Sequence, residues 1–558
     1  MRPPCAPRAL PPSASQDWDG QYFTGRIPEV ARTLNVVGNI NEAGVIIVET
    51  TFGGRGDLNG AGTGAIMSYG DLIWTTLSRA HSAREAITIM DELCTAYGYE
   101  SSGESFGVAD GDEVFLLELI GKGKYGKGAV WVASRVPEGY IGATANQART
   151  ETFVQNDPAN VLFAKDVISF ARSIGAYNGS DAAFNFREAY DPISFSGARF
   201  GEARVFNLFN PACGGCVAAH LDFAQGYNLS NSMPLFVPVA AKLSLADAMS
   251  LMRTHFEGSW FENRGIARPD IGAGPGHSPY RFRPLTWKAA VDGHTYLNER
   301  TVGTQQSGWA FVAQSRGWLP APIRAISWFA PDDSATSPRI PTYGCVTRIP
   351  PSFGSRTGQT PGAGVPYAPI ADSWTMSLDS AFWVWNLVGN VAFAERFEEG
   401  FALILPQTLA EQARMEAAAA ALEASFVDLY DPAAPAAAIE LATAFVEETG
   451  EDMTARWRAF WMRLFSIFRD GTVFSTPETT QCTGGNVVNC TAKLFPVAKE
   501  EGYDEDYRTR IVHDSDNAQR YRVPDAAVEG ELDVRKRGVI ASKSRRRAAA
   551  AAAAAAHQ

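Results

Sequence analysis

The sequence predicts an α+β protein built on an antiparallel sheet that is covered on both faces. Three observations carry this prediction. Residues 104–148 alternate strand-like runs with short turn signals, which favours antiparallel pairing over crossover connections. Two of those runs, VFLLELI and AVWVA, are nearly continuous in apolar character, as strands shielded on both faces are. Helical patterns flank this block in the order helix, sheet, then more sheet and helix, which fits a layered architecture better than a Rossmann repeat.

Taken in order, residues 1–17 are rich in Pro and Ser and are expected to be a disordered leader, with ordered chain beginning near Trp18. NEAGVIIVETTFGG reads as a tight turn at Ala43-Gly44 followed by a buried strand from Val45 to Thr51. A helix is expected over Tyr69–Tyr97, because Ile73, Leu77, Ala80, Ala83, Ile87 and Met90 keep to one face and Gly98 closes it. In the strand block, Asp110-Gly111-Asp112 joins FGVA to EVFLLELI. GKGKYGKG joins that to AVWVASRV, and Pro137-Glu138-Gly139 leads into YIGATAN. A helix is expected over 157–175, with an Asp-Pro start and a Gly end, and another over 243–258 with Ser244 as its cap. Residues 260–370 are rich in Gly, Pro and aromatics and read as strands and long loops. The C-terminal part turns helical from Leu409 to Leu429 and again in ARWRAFWMRLFSIF. There Trp457, Phe460, Trp461, Leu464, Phe465 and Phe468 are expected to form one stripe packed on the protein's own core rather than a partner groove. The expected organisation is a leader (1–17), a main domain (18–400), a helical C-terminal region packed on it (401–530) and a low-complexity tail (531–558).

With 558 residues, 46% of them hydrophobic, the chain can bury a large core, and 20% charged residues do not mark it as disordered. A formal net charge of -12 argues against a nucleic-acid partner, which needs a basic face. No run approaches 18 consecutive apolar residues, so no membrane span is expected. The first residues, MRPPCAPRALPPSASQ, lack the apolar segment of a signal peptide. Asn178, Asn228 and Asn489 sit in glycosylation triplets that suit the secretory route, and the compartment stays open. Seven cysteines in so long a chain are not a disulfide framework. Cys213 and Cys216 form a lone CxxC, read as a small buried thiol or a local disulfide rather than a zinc site. Cys482 and Cys490 suit a disulfide loop if the protein is secreted.

Most short signatures of catalysis are absent: no GxSxG elbow, Walker loop, HExxH or EF-hand loop. GKGKYGKG has the letters of a phosphate loop without its spacing, and reads as a hairpin loop. The seven histidines are scattered, without metal-ligand spacing, so neither a metal nor a cofactor is expected.

A set of longer blocks says more. GRIPEVARTLNVVGNINEAGVIIVETTFGGR, SSGESFGVADGDEVFLLELIGKG, KGAVWVASRVPEGYIGATANQAR, AKDVISFAR, SGARFGEARV, SPYRFRPLTWK, NERTVGTQQSGWAFVAQSRGWLP and DSAFWVWNLVGN follow one another in that order. Together they resemble the cysteine dipeptidase family that includes bacterial dipeptidase A and the secernins. The likeness runs from about Gly25 to Phe393, with a weaker echo through the C-terminal helices. It implies an N-terminal-nucleophile hydrolase fold, an αββα four-layer sandwich of antiparallel sheets, here with a helical C-terminal extension. It also implies a cysteine exposed as the first residue of the mature chain, with its own α-amino group as base. An α-amine has a pKa of roughly 7.7 to 8, so it can take a thiol proton without a histidine.

The resemblance carries two catalytic candidates onto this chain. Asn146, in GATANQA, matches the asparagine that helps hold the nucleophile region and the oxyanion, where a side-chain N–H meets developing negative charge. Arg199, in SFSGARF, matches an arginine near the nucleophile, where a fixed positive charge favours thiolate. Thr50 and Thr51 end the strand that supplies an oxyanion contact in relatives and are held as substrate-site lining.

The chain departs from the family at its start. The family opens with Cys-Thr, a strand, a turn and a second strand before the GRIP-like segment. Here the upstream cysteine is Cys5, in CAPRALPPSASQ. Pro7, Pro11 and Pro12 lack ladder donors, and Cys5 lies too close to Gly25 to supply two strands, so Cys5 is not assigned the role. The expectation is that the family's opening has been replaced by unrelated residues, with a degenerate family member as the alternative. Functionally, the expectation is a cysteine-type dipeptidase acting on a dipeptide or small peptide. It involves no nucleic acid, and a homo-oligomer is compatible with it. A non-catalytic, secernin-like regulatory or binding protein on the same scaffold is the reading from another class. An amidase acting on non-peptide acyl amides is a third, and the blocks match the dipeptidase branch better.

Overall fold

The computed structural model describes residues 14–16, 23–262, 278–280, 284–354, 371, 375–395, 397–469, 473–474, 498–499 and 505–514. The chain divides into two units, Met1–Ala498 and Lys499–Gln558. Among the described residues the second holds one helix, Glu505–Asp514.

Strands β1 (Ala14–Gln16) and β2 (Phe23–Arg26) pair antiparallel, so the described part of the expected leader contains strand. The main sheet begins with β3 (Val36–Val37), β4 (Ile40–Asn41) and β5 (Ile46–Thr51). Two helices follow, α1 (Tyr69–Leu77) and α2 (Ala83–Tyr97), in place of the single helix expected over Tyr69–Tyr97. The break has a physical cause. Asn41, fully buried, donates its Nδ2 to the carbonyls of Leu77 and Ala80, both at 2.8 Å, and so satisfies the groups that an unbroken helix would pair internally. Ser68 caps α1 and Ser82 caps α2 through their side chains.

The meander forms as expected through β6 (Glu104–Ala109), β7 (Val114–Gly121) and β8 (Ala129–Arg135). Asp110 accepts from the backbone N–H of Asp112 at 2.8 Å and Glu113 at 3.0 Å, which closes the β6–β7 turn. GKGKYGKG spans the β7–β8 hairpin. The next segment, β9 (Tyr140–Gly142), leaves this sheet and pairs with β11 (Phe236–Pro238), introduced below. Its expected place beside β8 goes to β10 (Val161–Phe163). The helix expected over 157–175 is therefore shorter: a turn at Asp157–Asn160, then β10, then α3 (Val167–Ser173). Val161, Leu162 and Phe163 suit an edge strand, and the Asp-Pro signal starts a turn rather than a helix. The seven strands run in the order β10-β8-β7-β6-β5-β4-β3, every pair antiparallel.

Beyond it come α4 (Phe186–Tyr190), a wide helical turn over Gly197–Glu202, α5 (Ala203–Ala212), α6 (Leu221–Ala224) and β11. Helix α7 (Leu245–Leu251) carries the expected Ser244 cap, completed by Asp247 in a capping box, but covers less than 243–258. Hairpin β12 (Thr286–Lys288) and β13 (Thr295–Leu297) precedes a three-stranded antiparallel sheet. That sheet holds β14 (Trp309–Ser315), β15 (Ala325–Pro331) and β16 (Ile340–Tyr343), with α8 (Ala321–Arg324) between β14 and β15. Three helices complete the unit: α9 (Ala381–Asn390), α10 (Phe397–Leu429) and α11 (Ala436–Ile467). Helix α10 starts well before the expected Leu409 and runs through Pro406.

Period-two alternation divides the core. Ile47, Phe106, Val108, Leu117, Trp131 and Ala133 pack against Ile73, Leu77, Ile87 and Met90 of α1 and α2. On the other side of the main sheet, Ile46 and Ala109 meet Ala313 and Ala325 of the three-stranded sheet. That second sheet packs Trp328 and Ile340 against Val384, Trp385, Met415 and Trp457 of the C-terminal helices. The result is an α+β structure of mixed helices and antiparallel sheets. The α11 stripe holds for Trp457, Leu464 and Phe468, whereas Phe465 is 57% exposed. A period of 3.6 keeps positions 457, 460, 461, 464 and 468 together and turns 465 away.

Candidate active site

One expected site residue, Asn146, lies on the segment 143–150, which connects β9 to the remainder of the first core. Its backbone is held from several sides. Glu118, fully buried on β7, accepts from the backbone N–H of Arg149 at 2.6 Å and Thr150 at 2.7 Å. Burial pushes the Glu118 carboxyl up, and these two N–H groups pull it back. Asp191 accepts from the N–H groups of Ala148 at 2.8 Å and Gly54 at 3.0 Å, and from the Gln147 side chain at 2.7 Å. The Arg149 guanidinium pairs with Glu202 at 3.1 Å, with both side chains almost fully buried. It also donates to the carbonyls of Ala143, Leu235 and Pro234. The wide turn Gly197–Glu202 comes close to the segment because it carries two glycines. A Cβ at Gly197 would lie 2.1 Å from Gln147 Oε1, and one at Gly201 2.6 Å from the Ala145 carbonyl. Wide turns of this kind are frequent at functional sites.

Asn146 stands at the exposed crest of this clamped segment with φ of 61°, a left-handed conformation that asparagine tolerates better than most residues. Its Nδ2 donates to the Thr51 carbonyl, and its Oδ1 accepts from Arg204 Nη2 at 2.7 Å. Both ends of the amide are thus fixed. One of its two N–H groups has no protein partner among the described residues and can be given to an oxygen that gains negative charge.

The other expected site residues fall in different places. Thr50 turns toward the segment, its hydroxyl 2.8 Å from that of Thr144. Thr51 meets Asn146 through its carbonyl, while its hydroxyl donates to Glu104 at 2.8 Å. Arg199 lies on the wide turn and is not hydrogen-bonded to Asn146. Its Nε and Nη2 reach Glu299 at 2.7 and 2.6 Å, its Nη1 donates to the Gln225 carbonyl at 3.1 Å, and its guanidinium sits 4.8 Å from the Trp260 ring centroid. Arg204, absent from the sequence-based candidates, is the arginine that touches Asn146. It also donates to the carbonyls of Phe200 at 2.8 Å and Ala145 at 3.2 Å. No carboxylate pairs with it among the described residues, and burial, then the nearby charge of Arg300, pull it down to about 9. It stays cationic at neutral pH. Nothing in the spacing of FGEAR marks it.

Of the cysteines, Cys94 and Cys345 are buried thiols outside any disulfide, and burial pushes the Cys94 thiol far up, away from thiolate. Cys213 and Cys216 form a disulfide, one of the two readings of the CxxC. Cys5, Cys482 and Cys490 lie outside the described residues, as does Asn489. Asn178 and Asn228 are exposed. No cluster of three or more His, Cys, Asp or Glu suited to a metal occurs among the described residues, and no helix among them is long and apolar enough to cross a membrane.

Comparison with known proteins adds a second line of observation. The model of Peptidase family C69 matches residues 7–399. A protein named "Probable dipeptidase" from Salmonella dublin is 30% identical over 185 residues, 32% of this chain and 38% of that protein. Dipeptidase A of Lactobacillus helveticus is 23% identical over 289 residues, covering 51% of this chain and 52% of the other. A dipeptidase of Bifidobacterium longum is 23% identical over 297 residues, 50% of this chain and 48% of its own. The chain spans about half the length, or less, of these curated relatives.

Proposed function

The chain belongs to peptidase family C69, and from that membership we propose that it is a cysteine-type dipeptidase that cleaves the peptide bond of dipeptides or small peptides. One observation carries the reading to a site: the Asn146 amide, fixed between the Thr51 carbonyl and Arg204 with one N–H left to give. The paired sheets between helical layers are read here as the αββα sandwich of N-terminal-nucleophile hydrolases.

In this reading a cysteine at the start of the mature chain is the nucleophile, and none of the described cysteines is assigned that role. Its α-amine takes the thiol proton, and the thiolate adds to the scissile carbonyl carbon. Asn146 Nδ2 donates to the oxygen as it becomes an oxyanion. The C–N bond then breaks, the leaving amine takes the proton from the α-ammonium, and water hydrolyses the thioester. Arg199, tied to Glu299, contributes a fixed charge beside the nucleophile. Thr50 and Thr51 line the substrate side. A dipeptide carries a free carboxylate, and Arg204 offers it a cation that no carboxylate among the described residues neutralises.

The test is hydrolysis of a panel of dipeptides by the purified native protein and by Asn146→Ala. The expected result is turnover that falls about 10²–10³-fold in the variant. Equal turnover by both proteins would remove Asn146 from the mechanism, and no turnover by either would leave the regulatory reading in its place.

A further inference from the structure

Away from the Asn146 site, the second core holds two arginines with side-chain nitrogens that have no hydrogen-bond partner among the described residues. Arg339 is 0% exposed and Arg253 is 9% exposed. None of Nε, Nη1 and Nη2 of Arg339 has a hydrogen-bond partner, and neither has Nε or Nη2 of Arg253. Gln412, on α10, accepts through Oε1 from the Arg339 backbone N–H at 3.0 Å, and its Nε2 is likewise unpartnered. The hydroxyls of Thr336 and Ser337 are buried on the same β15–β16 connection and have no partner. The two arginine segments are in contact, since the Ser334 hydroxyl donates to the Met252 carbonyl.

The local acids make their hydrogen bonds elsewhere, and Asp333 acts on Arg339 only through space. Asp333 accepts from the Tyr280 hydroxyl and from the Ala335 N–H. Asp332 accepts from Asn386 at 3.0 Å, and burial pushes it up to about 7. Glu416 acts on Arg253 through space. None of them lies at ion-pair distance from either guanidinium. The unpartnered nitrogens here are all donors. The Thr336 and Ser337 hydroxyls can accept from a water, but a single water cannot accept from all of these N–H groups and brings no charge to offset two guanidiniums. A cation is repelled by both guanidiniums. A small anion accepts from one bidentate edge of each guanidinium.

We propose that Arg253 and Arg339 hold a small monovalent inorganic anion, with the Gln412 amide and the Ser337 hydroxyl completing its shell. The anion ties the turn after α7, the β15–β16 connection and α10 to one another, so its binding stabilises the second core. The inference does not depend on the peptidase reading.

The test uses the full-length protein in sodium chloride and in sodium gluconate at matched ionic strength. The expected result is a Tm higher in chloride by roughly 1–3 °C, approached along a saturating curve, with Arg339→Met losing the increment. If that variant does not fold, a crystal of the native protein grown in bromide carries the test, with an anomalous peak expected between the two guanidiniums. Equal Tm in both salts, or a bromide map with no anomalous peak there, overturns the proposal.

Discussion

The role proposed for Asn146 rests on restraint. Its left-handed backbone, the Thr51 carbonyl and Arg204 fix the amide before any substrate arrives, which is what an oxyanion donor needs to act without reorganisation. Arg204 has two separable effects, positioning Asn146 and presenting charge. Substitution Arg204→Gln is expected to lower turnover of alanyl-alanine and its C-terminal amide alike through Asn146. It is expected in addition to collapse the acid-over-amide preference in kcat/KM by about tenfold or more, since a charged hydrogen bond contributes about 1.5–3 kcal/mol. An unchanged preference would confine Arg204 to positioning. Behind Thr51, Glu104 is fully buried, and burial followed by the charge of Glu49 pushes its carboxyl up to about 9 from an ordinary 4.5. The native state therefore keeps a proton that the unfolded chain has lost, so stability falls as pH rises from about 4.5 through about 9. Urea denaturation across that window is expected to show this slope in the native protein and a flatter one in Glu104→Gln; identical slopes would contradict it. At this scale the sequence was legible only in part. Resemblance pointed to Asn146, but the Thr51 carbonyl and Arg204 are contacts that fold geometry creates, and no local pattern encodes them.

Elements were legible where their signals are local. Asp110 closes its hairpin through its own side chain, and Ser244 caps α7 from the adjacent position. They were misread where the deciding group is distant. The α1–α2 break depends on Asn41, 36 residues before Leu77, and helical periodicity alone runs straight through it. Strand β10 lay hidden under an Asp-Pro helix signal because only pairing with β8 distinguishes it. The α11 stripe gives a test of the same point. Trp457→Ala is expected to cost about 3–5 kcal/mol as a cavity in the second core, whereas Phe465→Ala, on the exposed face, is expected to stay within about 0.5 kcal/mol. Chemical denaturation of the two variants measures the contrast, and comparable losses would mean the helix is rotated from the orientation seen here.

At the scale of the molecule, near-continuous apolar strands did foretell a sheet buried on both faces. Ile47 and its neighbours pack on helices, and Ile46 meets a second sheet. The second sheet itself was less visible, since residues 260–370 offer short strands among Gly and Pro and no regular turn spacing. The central proposal, drawn from membership of the family, is that this scaffold cleaves peptides with an N-terminal cysteine. The most direct measurement is mass spectrometry of the purified native protein after alkylation with iodoacetamide, with and without dipeptide, alongside residual hydrolysis. The account predicts that the mature chain begins with a cysteine, that dipeptide slows its labelling, and that labelling abolishes turnover. A protein that hydrolyses dipeptides with every cysteine alkylated, or whose mature first residue is not cysteine, would contradict it.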